Sequence, residues 1–128
     1  MSAKNKAAAQ VAFEVWSTGD LERLDRFVSP TVVNRDPYDP QGAEGLVGMK
    51  ASILMSRTRY PDLHLTVEDQ IAEGDKVATR WTGSMTHNGR RVTLEGITID
   101  RFENGMIVEA WRSMDMLGLL QQTGALEK

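Results

Sequence analysis

The chain has 128 residues, 41% hydrophobic and 26% charged, which supplies apolar material for one core and is too short for two, so residues 1–128 read as a single domain. A net charge of -3 with Lys and Arg scattered along the chain excludes the basic footprint of a nucleic-acid binder. The absence of cysteine removes disulfides, thiolate metal ligands and a cysteine nucleophile together, and no run reaches the roughly 18 apolar residues that span a bilayer.

The N-terminal stretch MSAKNKAAAQ lacks the apolar core of a signal peptide, so a cytoplasmic protein is expected. Ala7 to Ser17 follows, with Ala8, Val11, Ala12, Val15 and Trp16 at three- and four-residue spacings, the stripe of a helix that buries one face. Thr18-Gly19 ends it, and Asp20 is placed to cap a second helix that Ser29-Pro30 closes. Thr31 to Asp36 is a short β-prone run. Pro37 to Gly42, with two prolines and a glycine, reads as a loop long enough to form a lip or lid. A third helix is expected over Ala43 to Arg57, burying Leu46, Met49 and Ile53.

After Tyr60-Pro61-Asp62 the period changes to two, with Leu63, Leu65 and Val67 alternating with polar residues as in a half-buried strand. Turns at Glu73-Gly74-Asp75, Asn88-Gly89 and Asn104-Gly105 then divide the rest into Lys76 to Thr86, Val92 to Phe102 and Met106 to Asp115. Four sequential strands joined by short turns make an antiparallel meander, and three helices ahead of them cover one face, so the fold class is α+β. A twisted sheet only partly covered by helices curls, leaving room for a small apolar ligand beneath the helices.

The order of these elements carries a resemblance. Tyr60-Pro61-Asp62-Leu63, Ile71 to Val77, Gly96 to Phe102, Asn104 to Glu109 and the closing Leu117 to Ala125 together resemble the SnoaL-like polyketide cyclase (ester cyclase) family of the nuclear-transport-factor-like superfamily. The resemblance covers about residues 11–125. It implies a cone-shaped barrel, with three N-terminal helices packed on a curved antiparallel sheet around a deep, mostly apolar cavity, and a homodimer joined through the outer sheet face. It also implies a small apolar or polyketide-like partner and cofactor-independent acid/base chemistry of the cyclase, isomerase or hydrolase kind. The scaffold also serves pure binding domains, so a non-catalytic binder and a plain dimerisation module stand beside the enzyme.

Three positions depart from the family pattern. Its Glu-x-Trp-Asp reads Glu109-Ala110-Trp111-Arg112 here, placing in the acid slot a permanent cation that cannot take a proton. Thr98 stands where a histidine is often found, and the usual His-Asp-Pro reads Arg35-Asp36-Pro37.

The candidate catalytic residues are Asp115 and Arg112. Asp115 ends the last strand beside an apolar run, where burial would make it a base; it is equally placed to cap the helix that follows. Arg112 shares strand parity with Val108 and Ala110, so it clamps a carboxylate or an enolate oxygen if that face is the cavity and is a surface or dimer residue if it is not. Asn34, Asp36, Tyr38, Trp81, Thr98 and Trp111 are the candidate substrate-binding residues. Asp100 and Arg80, on successive strands, read as a surface pair, and are otherwise two members of an Asp-Arg-Asp set with Asp115. His64 and His87 have no partner at metal-ligand spacing, and no phosphate loop, serine elbow or dinucleotide fingerprint occurs, so neither metal nor cofactor is expected.

Overall fold

The structure, a computed structural model, describes residues 2–37 and 45–124. Helix α1 (Ser2–Thr18) buries Ala8, Ala9, Ala12, Phe13 and Val15, the stripe read from the spacing, and a 3-10 turn over Leu21–Arg26 replaces the expected second α-helix. The Asp20 side chain makes no capping bond there, so nothing holds the first turn in α geometry. The chain enters strand β1 (Val28–Arg35) earlier than Ser29-Pro30 implied; a proline is tolerated on this edge strand because the ladder does not need its missing N–H.

Helix α2 (Gly45–Arg59) buries Leu46, Met49 and Ile53 as expected. The meander follows as β2 (His64–Glu73), β3 (Lys76–His87), β4 (Arg90–Glu103) and β5 (Met106–Met114), and the chain closes with α3 (Met116–Thr123). Asn88 and Asn104 have φ of 51° and 53° and the glycines after them 79°, the left-handed pair that a two-residue hairpin turn requires. The five strands form one sheet in the order β1-β5-β4-β3-β2, antiparallel except that β1 runs parallel to β5. The α+β class stands, with one fewer α-helix before the meander and one after it.

One face of the sheet is covered. The inner stripe of β3 is Val77, Thr79, Trp81, Gly83 and Met85, and that of β4 is Val92, Gly96, Thr98, Asp100 and Phe102. Helices α1 and α2 pack over one part of these stripes, with Val28, Val32, Leu46, Ile53, Val77 and Phe102 in the main core, and Leu63, Met85 and Val92 form a second, smaller cluster. Arg57 stitches the helical layer together by donating to the carbonyls of Trp16 and Leu63 at 3.2 and 3.0 Å. Gln122 fastens α3 to β4 with two bonds of 2.8 Å to the Thr93 backbone. Ile97 and Ile99 remain exposed on the opposite face. No helix among the described residues is long and apolar enough to cross a membrane.

Candidate functional site

Alternation on β4 brings an unusual pair of residues inside. Thr98 and Asp100 share parity with Val92 and Phe102, so a strand that is paired on both sides from Gly96 to Arg101 must carry them into the helix-covered layer. Asp100 is 5% exposed and Thr98 3%. The cross-strand partners on β5 are Arg112 for Thr98 and Ala110 for Asp100. A bulge between Arg101 and Phe102 resets the alternation of β5, and Ile107, not Val108, joins Ala110 and Arg112 on the inner side.

Thr98, Asp100, Arg112 and Asn34 form the polar wall of a cavity whose other wall is Ala12, Phe13 and Trp16 of α1 and Met49 of α2. The open space measures about 20 Å³, room for little more than a water and far from the deep cavity the resemblance implied. Asn34 and Arg112 also border an open groove of about 670 Å³ that runs over Asp36, Ile97, Ile99 and Trp111.

The electrostatics are set by two carboxylates and one guanidinium. Burial pushes the Asp100 carboxyl up to about 7, and the attraction of Arg112 opposes this without overcoming it. No hydrogen bond reaches the Asp100 carboxylate from the described residues, so nothing replaces the water that burial removes. Arg112 is held from two sides. Its Nη1 lies 3.4 Å from Asp36 Oδ2, and its guanidinium stacks 5.3 Å from the centre of the Trp16 ring. Behind Thr98, the Trp81 indole N–H donates to Oγ1 at 3.0 Å.

The structure moves several sequence expectations. Asp115 is exposed and accepts from the Gly118 N–H at 3.0 Å, capping α3; it does not line the cavity, so the capping reading replaces the catalytic one. Trp111 points to the outer groove because its parity is opposite to that of Arg112. Asp36 lies at the end of β1 against Arg112. Asn34, Thr98 and Arg112 reach the cavity, whereas Trp81 stands behind it with its ring 6.1 Å from that of Phe13. Tyr38, and the lip expected over 37–42 beyond Pro37, fall outside the described residues. Arg80 pairs with Asp69 at 3.2 Å on the surface, which leaves Asp100 no part in the surface pair read for it. Among the described residues no three His, Asp or Glu side chains gather as a metal site.

A family model described as SnoaL-like polyketide cyclase matches residues 6–123. Among solved structures, TsrD from Streptomyces laurentii is 30% identical, with a TM-score of 0.87 and 98% of each chain covered. A protein provisionally described as a polyketide cyclase, from Bacillus cereus, is also 30% identical, with a TM-score of 0.86 over 94% of this chain and 80% of that one. AclR from Streptomyces galilaeus, provisionally described as a hydroxylase, is 29% identical at a TM-score of 0.83 over 98% and 99%. No curated protein matches.

Proposed function

Since the chain belongs to the SnoaL-like polyketide cyclase family, we propose that it is a cofactor-independent acid/base enzyme in which Asp100 moves the proton of a small, mostly apolar, polyketide-like molecule. The observation that carries this reading is the Asp100 carboxyl, buried beside the cavity and raised to about 7. A carboxyl at that value is present in both forms at neutral pH, so it takes a proton in one step and returns it in the next. The family's acid slot holds Arg112, and the carboxyl of this chain stands on the neighbouring strand instead.

Arg112 supplies the positive charge that an enolate oxygen would meet. Asn34 lies on the same wall, where its amide nitrogen donates to the Gly45 carbonyl at 3.5 Å. Admitting a substrate requires the lining to move, and Met49, with its flexible thioether chain, together with the edges of Phe13 and Trp16, is the side of the cavity able to do so. The exposed Ile97 and Ile99, with Trp111, support a homodimer through the outer sheet face.

The test is proton exchange. Enolisable ketones incubated in heavy water at neutral pH lose α-protons faster with the protein than without it, and Asp100→Asn lowers that rate by about a hundredfold or more. Equal rates with wild type and variant would remove Asp100 as the base. The binding reading without turnover is favoured by the narrowness of the cavity, and native mass spectrometry decides it: a retained small molecule with no exchange activity on any ketone selects the binder.

A further inference from the structure

A tryptophan indole N–H can only donate. The bond from Trp81 Nε1 to Thr98 Oγ1 therefore has a fixed direction, with the threonine oxygen accepting. That leaves the Thr98 hydroxyl one proton to give, and no acceptor among the described residues takes it. Asp100 lies two residues further along the same face, about 7 Å away at the rise of an extended strand. Its carboxylate accepts nothing from the described residues. The polar wall thus presents an uncommitted donor and an uncommitted acceptor, both more than nine-tenths buried, both bordering the cavity, and not satisfying each other.

The ring that fixes the hydroxyl is itself held in place. Gly96 lies against it, and a Cβ there would collide with the indole. Phe13 tilts against its other side at 42°. A donor aimed in advance needs no reorganisation when negative charge develops in front of it, which is the property that makes such groups effective in water-poor sites.

We propose that Thr98 is the oxyanion donor of this site, its O–H holding the carbonyl oxygen of an enolisable substrate beside the Arg112 guanidinium while Asp100 faces the adjacent carbon. This assignment rests on the acid/base reading of Asp100. As the C–H bond breaks, the proton passes to Asp100 and the bonding pair becomes the C=C of the enolate. The carbonyl π pair moves to the oxygen held by Thr98, and reprotonation at carbon reverses each change, so no co-reactant is consumed. Thr98 touches the substrate and is catalytic; Trp81 is a positioning residue.

The experiment uses 4-nitrophenol, whose phenolate is a planar oxyanion with its own visible absorbance. Wild type, Thr98→Val, Thr98→Ser and Trp81→Phe are titrated with it at neutral pH. Wild type is expected to bind, Thr98→Val to bind about tenfold more weakly, Thr98→Ser to stay close to wild type, and Trp81→Phe to fall between. Thr98→Cys, a weak donor of similar size, gives the same comparison if the valine variant does not fold. No binding by wild type, or equal binding by Thr98→Val, overturns the donor assignment. Carboxyl-carbon NMR of wild type follows Asp100 separately. Titration in the ordinary carboxylate range overturns the base, whereas titration near neutrality with equal phenolate binding by Thr98→Val overturns Thr98 alone.

Discussion

Replacing Asp100 by asparagine is expected to make the protein more stable, and by an amount that depends on pH in one direction only. Burial raises the Asp100 carboxyl from 3.8 to about 7, so the folded state holds its proton more tightly than the unfolded chain does. Below 3.8 both states are protonated and the residue costs nothing. As pH rises through that value the unfolded chain ionises first, and stability falls until the folded carboxyl ionises too, near 7. At 1.36 kcal/mol per pH unit, the interval from 3.8 to about 7 amounts to about 4 kcal/mol at its full extent. Asparagine keeps the shape and does not titrate, so its advantage over wild type is small in acid and grows by about 2.5 kcal/mol between about pH 5 and about pH 8. In a chain of this size that growth is about 10 °C in melting temperature. Urea denaturation of both proteins across this range measures the gap directly, because every other titrating group is shared. A gap that does not change with pH would mean that Asp100 ionises like an exposed carboxylate, and would take the acid/base reading with it.

Arg112→Met removes the charge that opposes the burial of Asp100 among the described residues, so the Asp100 midpoint, followed by carboxyl NMR, is expected to move above about 7; a downward move would refute the attraction. Asp115→Ala is expected to cost about 0.5–2 kcal/mol in urea unfolding through the loss of the α3 cap, and to leave the proton-exchange rate unchanged. Gly96→Ala forces a methyl group into the Trp81 ring, and a loss of about 1–3 kcal/mol is expected by the same measurement, with weaker 4-nitrophenol binding as the ring is displaced. Ile97→Glu places a charge on the exposed outer face, and analytical ultracentrifugation is expected to show a dimer for wild type and a monomer for the variant; a monomeric wild type would refute the proposed interface.

What could be read from the chain was whatever periodicity and turn chemistry dictate. Asn88-Gly89 and Asn104-Gly105 fixed two hairpins because only a left-handed pair closes them, and the stripe of α1 showed its buried side through Ala8, Ala12 and Val15. Asp20 looked like a cap and makes no capping bond, since a side chain's competence to bond does not settle whether the backbone brings it there. The acid at the site was misplaced for a related reason. On β4 both faces are apolar in part, Val92 and Phe102 on one and Ile97 and Ile99 on the other, so alternation alone left Asp100 as plausible outside as in. Its parity with Val92 and Phe102 was the available signal, and it becomes decisive only when β3 and β5 flank the strand. The bulge that turns Ile107 inward in place of Val108 left no mark in the residue types.

Burial outweighs the attraction of Arg112 at Asp100, and Arg112 engages other groups at the same time. A cation dedicated to a buried carboxyl holds it ionised, often by more than burial opposes. Arg112 is not dedicated: Asp36 engages one of its terminal nitrogens at 3.4 Å, and the Trp16 ring covers its face. Its attraction offsets the burial of Asp100 in part and does not reverse it. An arginine in the family's acid slot is therefore compatible with the acid/base role proposed for Asp100 on the neighbouring strand. In that proposal the arginine provides charge for an oxygen, while burial leaves the inner carboxyl a proton affinity useful near neutral pH.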